Sequence, residues 1–175
     1  TWHWASPPIA GANIMLRCSA FSPQYAVDRT VFVGTVAVPG GMGVKRSVDG
    51  GQTWTWARSG IDEIGIDQLW VSPAFATDRY LLARSTREEA VYQSQNGGDS
   101  WSKLCDGSGW QMAVSPHFLQ DHLLYFNQDG QVLLSPDAGQ SRIPAGLAFP
   151  VPQRSAQTLT ITPDGSRLFV GTNRG

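Results

Sequence analysis

Ser47-Val48-Asp49-Gly50-Gly51-Gln52-Thr53-Trp54 returns as Ser94-Gln95-Asn96-Gly97-Gly98-Asp99-Ser100-Trp101. It returns again, decayed, as Ser135-Pro136-Asp137-Ala138-Gly139-Gln140-Ser141-Arg142. The chain is therefore a repeat array. The spacings, 47 residues from Ser47 to Ser94 and 41 from Ser94 to Ser135, fall in the period range of a propeller blade and exceed most helical repeats. A second motif keeps step with the first: Phe21-Ser22-Pro23 leading to Asp28-Arg29, Val71-Ser72-Pro73 to Asp78-Arg79, Val114-Ser115-Pro116 to Asp121-His122, and a shortened Ile161-Thr162-Pro163-Asp164-Gly165-Ser166-Arg167.

The first motif reads as a hairpin between the third and fourth strands of each unit. Asp49 can accept from backbone N–H groups of its own turn, and Gly50 and Gly51 supply the positive φ that a tight hairpin needs. Thr53 restarts the strand and Trp54 brings a large apolar surface to bury against the neighbouring blade. Asn96 keeps the acceptor and loses the charge. Arg142 stands where Trp is due, so the third unit is expected to pack its outer strand less well. The second motif, a Ser-Pro feeding a turn that ends in Asp-Arg, lies between the first and second strands; His122 takes the Arg place, and recurrence points to a structural role.

These residues resemble the Asp-box (BNR) pattern, Ser-x-Asp-x-Gly-x-Thr-Trp, of sialidases, some other glycosidases, sortilin-type receptors and Ycf48-type assembly factors. The resemblance implies an all-β fold of β-propeller blades, each of four antiparallel strands with an Asp-box hairpin. Its structural residues here are Ser47, Asp49, Gly51, Thr53 and Trp54, then Ser94, Asn96, Gly98, Ser100 and Trp101, then Asp137 and Gly139. Thr1-Trp2-His3-Trp4-Ala5 aligns with Thr53-Trp54-Thr55-Trp56-Ala57, and Leu168-Phe169-Val170-Gly171-Thr172 with Val31-Phe32-Val33-Gly34-Thr35. The repeat units run approximately over 1–52, 53–99, 100–140 and 141–175 as one partial propeller. A closed propeller takes about four to eight blades, so the ring is expected to be incomplete and the chain part of a longer protein. In the second unit the strands are placed at 68–72, 80–85, 90–94 and 100–104, with helix content near nil.

Composition narrows the function. Net charge is -1 with 13 basic residues scattered among 14 acidic ones, which lacks the basic stripe of a nucleic-acid binder. The uncharged run 30–44 holds Pro39 and four glycines and is too short for a membrane span, which takes ~20 apolar residues. Cys18 and Cys105 show neither CxxC spacing nor neighbouring His, so they read as two free, largely buried thiols, with no metal and no cofactor expected. Gly-x-Ser-x-Gly, a phosphate loop and His-Glu-x-x-His are all missing.

Function in propellers sits on the loops of one face. If the repeated hairpins line the opposite face, the candidate loops follow the fourth strand and join the second to the third. They carry charges that do not repeat: Asp62, Glu63, Glu88 and Glu89 as weak catalytic candidates, and Arg87, Asp106, Trp110, Asp129 and Arg174 as binding candidates. Two carboxylates among the first four could serve a glycosidase. Arg142-Ile143-Pro144 matches a sialidase element that grips the substrate carboxylate, but the repeat register places Arg142 at a Trp position, so we read the match as coincidence. The sequence points to a non-enzymatic binding or assembly-scaffold propeller, extracytoplasmic or secreted, in a larger bacterial protein. Its partner is a protein or the remainder of the propeller covering the open blade edges. The alternative is a portion of a glycoside hydrolase or a carbohydrate-binding propeller.

Overall fold

The computed structural model describes residues 14–37, 42–62, 64–85, 87–106, 111–146 and 156–172. They form four successive antiparallel sheets. The first joins β1 (Ile14–Phe21), β2 (Val31–Ala37), β3 (Met42–Ser47) and β4 (Thr55–Trp56), with the one-turn helix α1 (Tyr25–Asp28) between β1 and β2. The second joins β5 (Gln68–Val71), β6 (Leu81–Ser85), β7 (Ala90–Ser94) and β8 (Ser102–Asp106), with α2 (Phe75–Asp78) after β5. The third joins β9 (Gln111–Val114), β10 (Leu124–Gln128), β11 (Gln131–Ser135) and β12 (Ile143–Pro144), with α3 (Phe118–Asp121) after β9; the fourth pairs β13 (Ala156–Ile161) with β14 (Leu168–Thr172). Strand order follows chain order, as in a propeller blade. The chain divides inside β8 into two compact units, Thr1–Lys103 and Leu104–Gly175.

Two expectations need correcting. Helix content among the described residues, expected near nil, amounts to one four-residue turn after each of Ser22-Pro23, Ser72-Pro73 and Ser115-Pro116. The fourth strand of the second blade also begins at Ser102, since Ser100 still bonds Asn96 within the hairpin turn and Trp101 bonds the preceding blade.

The Ser-Pro turn explains its own residues. Asp78 accepts from the Ser72 hydroxyl (2.5 Å) and from the Tyr80 N–H (2.8 Å), while Ser72 Oγ accepts from the Ala74 N–H. Asp28 with Ser22 and Thr30, and Asp121 with Ser115 and Leu123, repeat the arrangement. The next residue, Arg29, Arg79 or His122, takes a left-handed φ of 53 to 55°, a conformation that costs a non-glycine residue unless its surroundings hold it. Its carbonyl accepts from the hairpin turn: Gly50 N–H to Arg29, Gly97 N–H to Arg79 and Ala138 N–H to His122, each 2.9 Å. This bond is why the two motifs keep step along the sequence.

In the first unit the core lies between the first two blades: Phe32, Val44, Ala57, Ile61, Ile66, Phe75, Leu81 and Trp101 are buried together. Phe32 meets Phe75 edge to face at 5.6 Å. Trp101, 6% exposed, donates its indole N–H to the Ala57 carbonyl and its main-chain N–H to the Ser59 carbonyl, both 2.8 Å. Arg46 adds a polar tie to the Gly97 carbonyl and the Asp99 carboxylate, each 2.8 Å.

Trp54, expected to be mostly buried, is only half-buried. Its indole N–H bonds within its own turn, to Gly51, and the place matching Ala57 in the preceding unit falls at Ala5, outside the described residues. In the second unit the Arg142 guanidinium lies 4.3 Å from the centre of the Phe126 ring and bonds the Asp106 carbonyl. The outer strand following the buried Trp101 has five residues, while those following Trp54 and Arg142 have two each.

Candidate functional site

The repeated hairpin is filled by its own hydrogen bonds. Asp49 accepts from the Thr53 N–H (2.9 Å), the Thr53 hydroxyl (2.6 Å) and the Ser47 hydroxyl (2.7 Å), and Ser47 Oγ accepts from the Gly51 N–H (2.8 Å). Asn96 and Asp137 likewise accept from the Ser94 hydroxyl and the Ser100 N–H, and from the Ser135 hydroxyl and the Ser141 N–H, while the Asn96 carboxamide N–H donates to the Ser100 hydroxyl. The donors, the Thr53 hydroxyl and N–H foremost and then the Ser47 hydroxyl, hold the Asp49 carboxyl at about 2, below its ordinary 3.8. Asp164 in the shortened turn is held to about 2 by Thr162 and then Ser166, and Asp137 is lowered by Ser141.

A carboxyl lowered by folding contributes stability that is present above its unfolded pKa and is lost as pH falls through the folded one. The urea midpoint of the native chain should therefore exceed that of Asp49→Asn above about pH 4, with the gap closing toward pH 2. A gap that does not change with pH would show that charge contributes nothing to the turn.

The first-to-second and third-to-fourth connections carry the two repeated turns. In an antiparallel sheet they share one edge, so the remaining connections lie at the other. Among the nominated residues, Asp62 follows β4 and pairs with Arg58 at 3.3 Å. Arg87, Glu88 and Glu89 form the turn between β6 and β7, where the Glu88 N–H bonds the Ser85 hydroxyl and Glu89 has a left-handed φ of 46°. Asp129 and Gly130, with φ of 50 and 77°, are the two-residue turn joining β10 to β11, a geometry that favours Asp-Gly for its own sake. Asp106 ends β8 and offers its carbonyl to Arg142. Glu63, Trp110 and Arg174 lie outside the described residues. Among the described residues, no group of three or more His, Cys, Asp or Glu could hold a metal.

A column of residues escaped the sequence reading. Six residues after the turn aspartate stand Gly34, Arg84 and Asn127, with Gly171 at the matching place in the fourth blade. The bare Gly34 makes room, since a Cβ there would lie 2.5 Å from Cys18 Sγ and 2.7 Å from the Ile66 carbonyl oxygen. The Cys18 thiol points at that carbonyl, 4.0 Å away. In the third blade the Asn127 side chain does the corresponding task directly, donating to the Ala156 carbonyl at 2.7 Å. Where the column holds glycine, the first strand bulges, at Leu16/Cys18 and at Ala156/Thr158, which re-aims the side chain opposite. Arg84, 1% exposed, meets Asp67 at 3.5 Å. The signal was a polar residue inside an apolar strand, visible only once the repeats are stacked. Burial pushes the Cys18 thiol up to about 12, against the Gly34 N–H and with a further push from Asp67, which disfavours its thiolate. Cys105 is buried and also unbridged.

No protein-family model matches the chain, and no curated protein matches it. Solved structures do. The chain is similar to the GH74 xyloglucanase from Xanthomonas campestris, at 17% identity over 91% of this chain and 27% of that one, with a TM-score of 0.63. It is similar to YCF48 bound to D1 peptide, at 16% identity over 82% and 45%, TM-score 0.52. It is also similar to a chain of the nidogen/laminin complex, at 15% identity over 90% and 56%, TM-score 0.60. All are β-propeller proteins, and the likeness shows the β-propeller fold. The chain spans 27 to 56% of the length of these proteins.

Proposed function

We propose that this chain is a stretch of an Asp-box β-propeller that acts as a non-enzymatic binding or assembly scaffold, outside the cytoplasm and within a larger bacterial protein. The observation that carries the reading is the use of polar groups. The recurring Ser, Thr, Asp and Asn residues of both motifs are engaged by the turns they build. Of the four nominated carboxylates, Asp62 is held by Arg58 and Glu89 serves a left-handed turn position. A glycosidase needs two carboxyl groups about 5 to 10 Å apart, one kept protonated. YCF48 bound to D1 peptide is a precedent on this fold for recognition of a polypeptide. The binding residues would be Arg87 on the β6–β7 turn of the first compact unit and, taken separately, Asp106 and Asp129 in the second; Trp110 and Arg174, also nominated, lie outside the described residues.

The competing reading, a portion of a glycoside hydrolase, has the likeness to the xyloglucanase in its favour. Reducing-sugar release from xyloglucan and cleavage of a sialoside, followed over about pH 4 to 8, separate the two. The scaffold reading expects no turnover and expects an array of extended peptides to capture the chain through Arg87, with Arg87→Ala reducing capture. Turnover abolished by Glu88→Gln would overturn it.

A further inference from the structure

Asn96 is followed by glycine, and the other asparagines, Asn13, Asn127 and Asn173, are not. Its side chain is exposed. A main-chain nitrogen unencumbered by a following side chain can swing onto the preceding carboxamide carbon, which makes Asn-Gly the ordinary place for asparagine to lose its amide. The hairpin engages the nucleophile and fixes both ends of the carboxamide, so that the attack cannot begin until the turn opens. The Gly97 nitrogen, the nucleophile, donates to the Arg79 carbonyl at 2.9 Å. The carboxamide oxygen accepts from the Ser94 hydroxyl and the Ser100 N–H, both 2.9 Å, and the nitrogen that would leave donates to the Ser100 hydroxyl at 2.8 Å.

We propose that Asn96 is a deamidation site gated by the opening of this one turn. With the turn closed the amide persists. When the turn opens, the Gly97 nitrogen bonds to Asn96 Cγ and the Cγ–Nδ2 bond breaks. Nδ2 departs as ammonia, carrying the proton lost by Gly97, and water then opens the succinimide at either carbonyl to give aspartate or isoaspartate. Aspartate suits the turn, because Asp49 and Asp137 take the same donors in the sister hairpins and the Thr53 hydroxyl donates to Asp49 as the Ser100 hydroxyl would. Isoaspartate lengthens the main chain by one carbon and breaks the spacing from Ser94 to Ser100. The change falls where Arg46 holds Gly97 and Asp99, so isoaspartate would loosen the seam between the first two blades, whereas aspartate would leave it closed.

The test incubates the full chain at about pH 8 and 37 °C in a series of urea concentrations from none to fully denaturing, with conversion at Asn96 read by peptide mass spectrometry and isoaspartate by enzymatic methylation. Conversion in the native chain should be at least ~10-fold slower than in the unfolded chain and should rise at urea concentrations below the global unfolding midpoint, as local opening does. Asn96→Asp should unfold at the native midpoint or above it. Equal native and unfolded rates, or a rate that rises only with global unfolding, would overturn the gating. A lowered midpoint for Asn96→Asp would overturn the acceptance of the aspartate product.

Discussion

Replacing Trp101 by alanine is expected to lower the unfolding free energy of the first unit by roughly 3 to 5 kcal/mol, the range for large aromatic truncations in a core. The change removes a ring buried among Phe32, Ala57 and Leu81, and leaves the buried Ala57 carbonyl without the indole N–H that satisfies it. The same change at Trp54 should cost only about 1 to 2 kcal/mol, as half-burial of a large side chain implies. Trp54 bonds the Gly51 carbonyl of its own turn and is half-buried. Denaturant titration of the two variants side by side is the measurement. Equal losses, or a loss below about 1 kcal/mol for Trp101→Ala, would mean that the tryptophan of the repeat does not decide the seam.

That contrast marks how far the sequence could be read. The fold was legible because the turns are local: a Ser, an Asp or Asn, a Gly and a Thr or Ser at fixed spacing satisfy one another within eight residues, and the structure shows the bonds their chemistry demands. The strand order followed from the same turns. What stayed hidden depends on neighbours distant in sequence. Whether Trp101 is buried is decided by the blade before it, whose Ala57 carbonyl takes its indole N–H from 44 residues away. Arg84 and Asn127 look like stray polar residues in apolar strands until the blades are stacked, when Asn127 proves to bond the next blade. Charged loop residues were chosen for not repeating. Glu89 and Asp129 nevertheless occupy left-handed turn positions, a local backbone reason that competes with any binding role and that the absence of a repeat did not reveal.

Gly60→Ala should be the most damaging of the glycine changes, at roughly 3 to 6 kcal/mol, because two costs coincide: a side chain forced to positive φ and an overpacked contact. Gly60 has a φ of 91°, and a Cβ there would run into the carbonyl of Trp101. That obstacle is backbone, so no rotamer change relieves it, and the Ser59–Ser100 bridge between the first two blades must part. Gly146→Ala is the control. With a φ of 68° and nothing within 4 Å of its Cβ, it carries only the conformational cost, about 1 to 2 kcal/mol. Hydrogen exchange separates the two effects: Gly60→Ala should release the Trp101 main-chain N–H, which the Ser59 carbonyl otherwise holds at 2.8 Å, while Gly146→Ala leaves it protected. If both variants lose the same stability and Trp101 stays protected in each, glycine at position 60 is required only by its own turn. If Trp101 alone is released, the seam rests on a backbone approach that any side chain at position 60 would prevent, and the missing side chain there matters as much as the large one at Trp101.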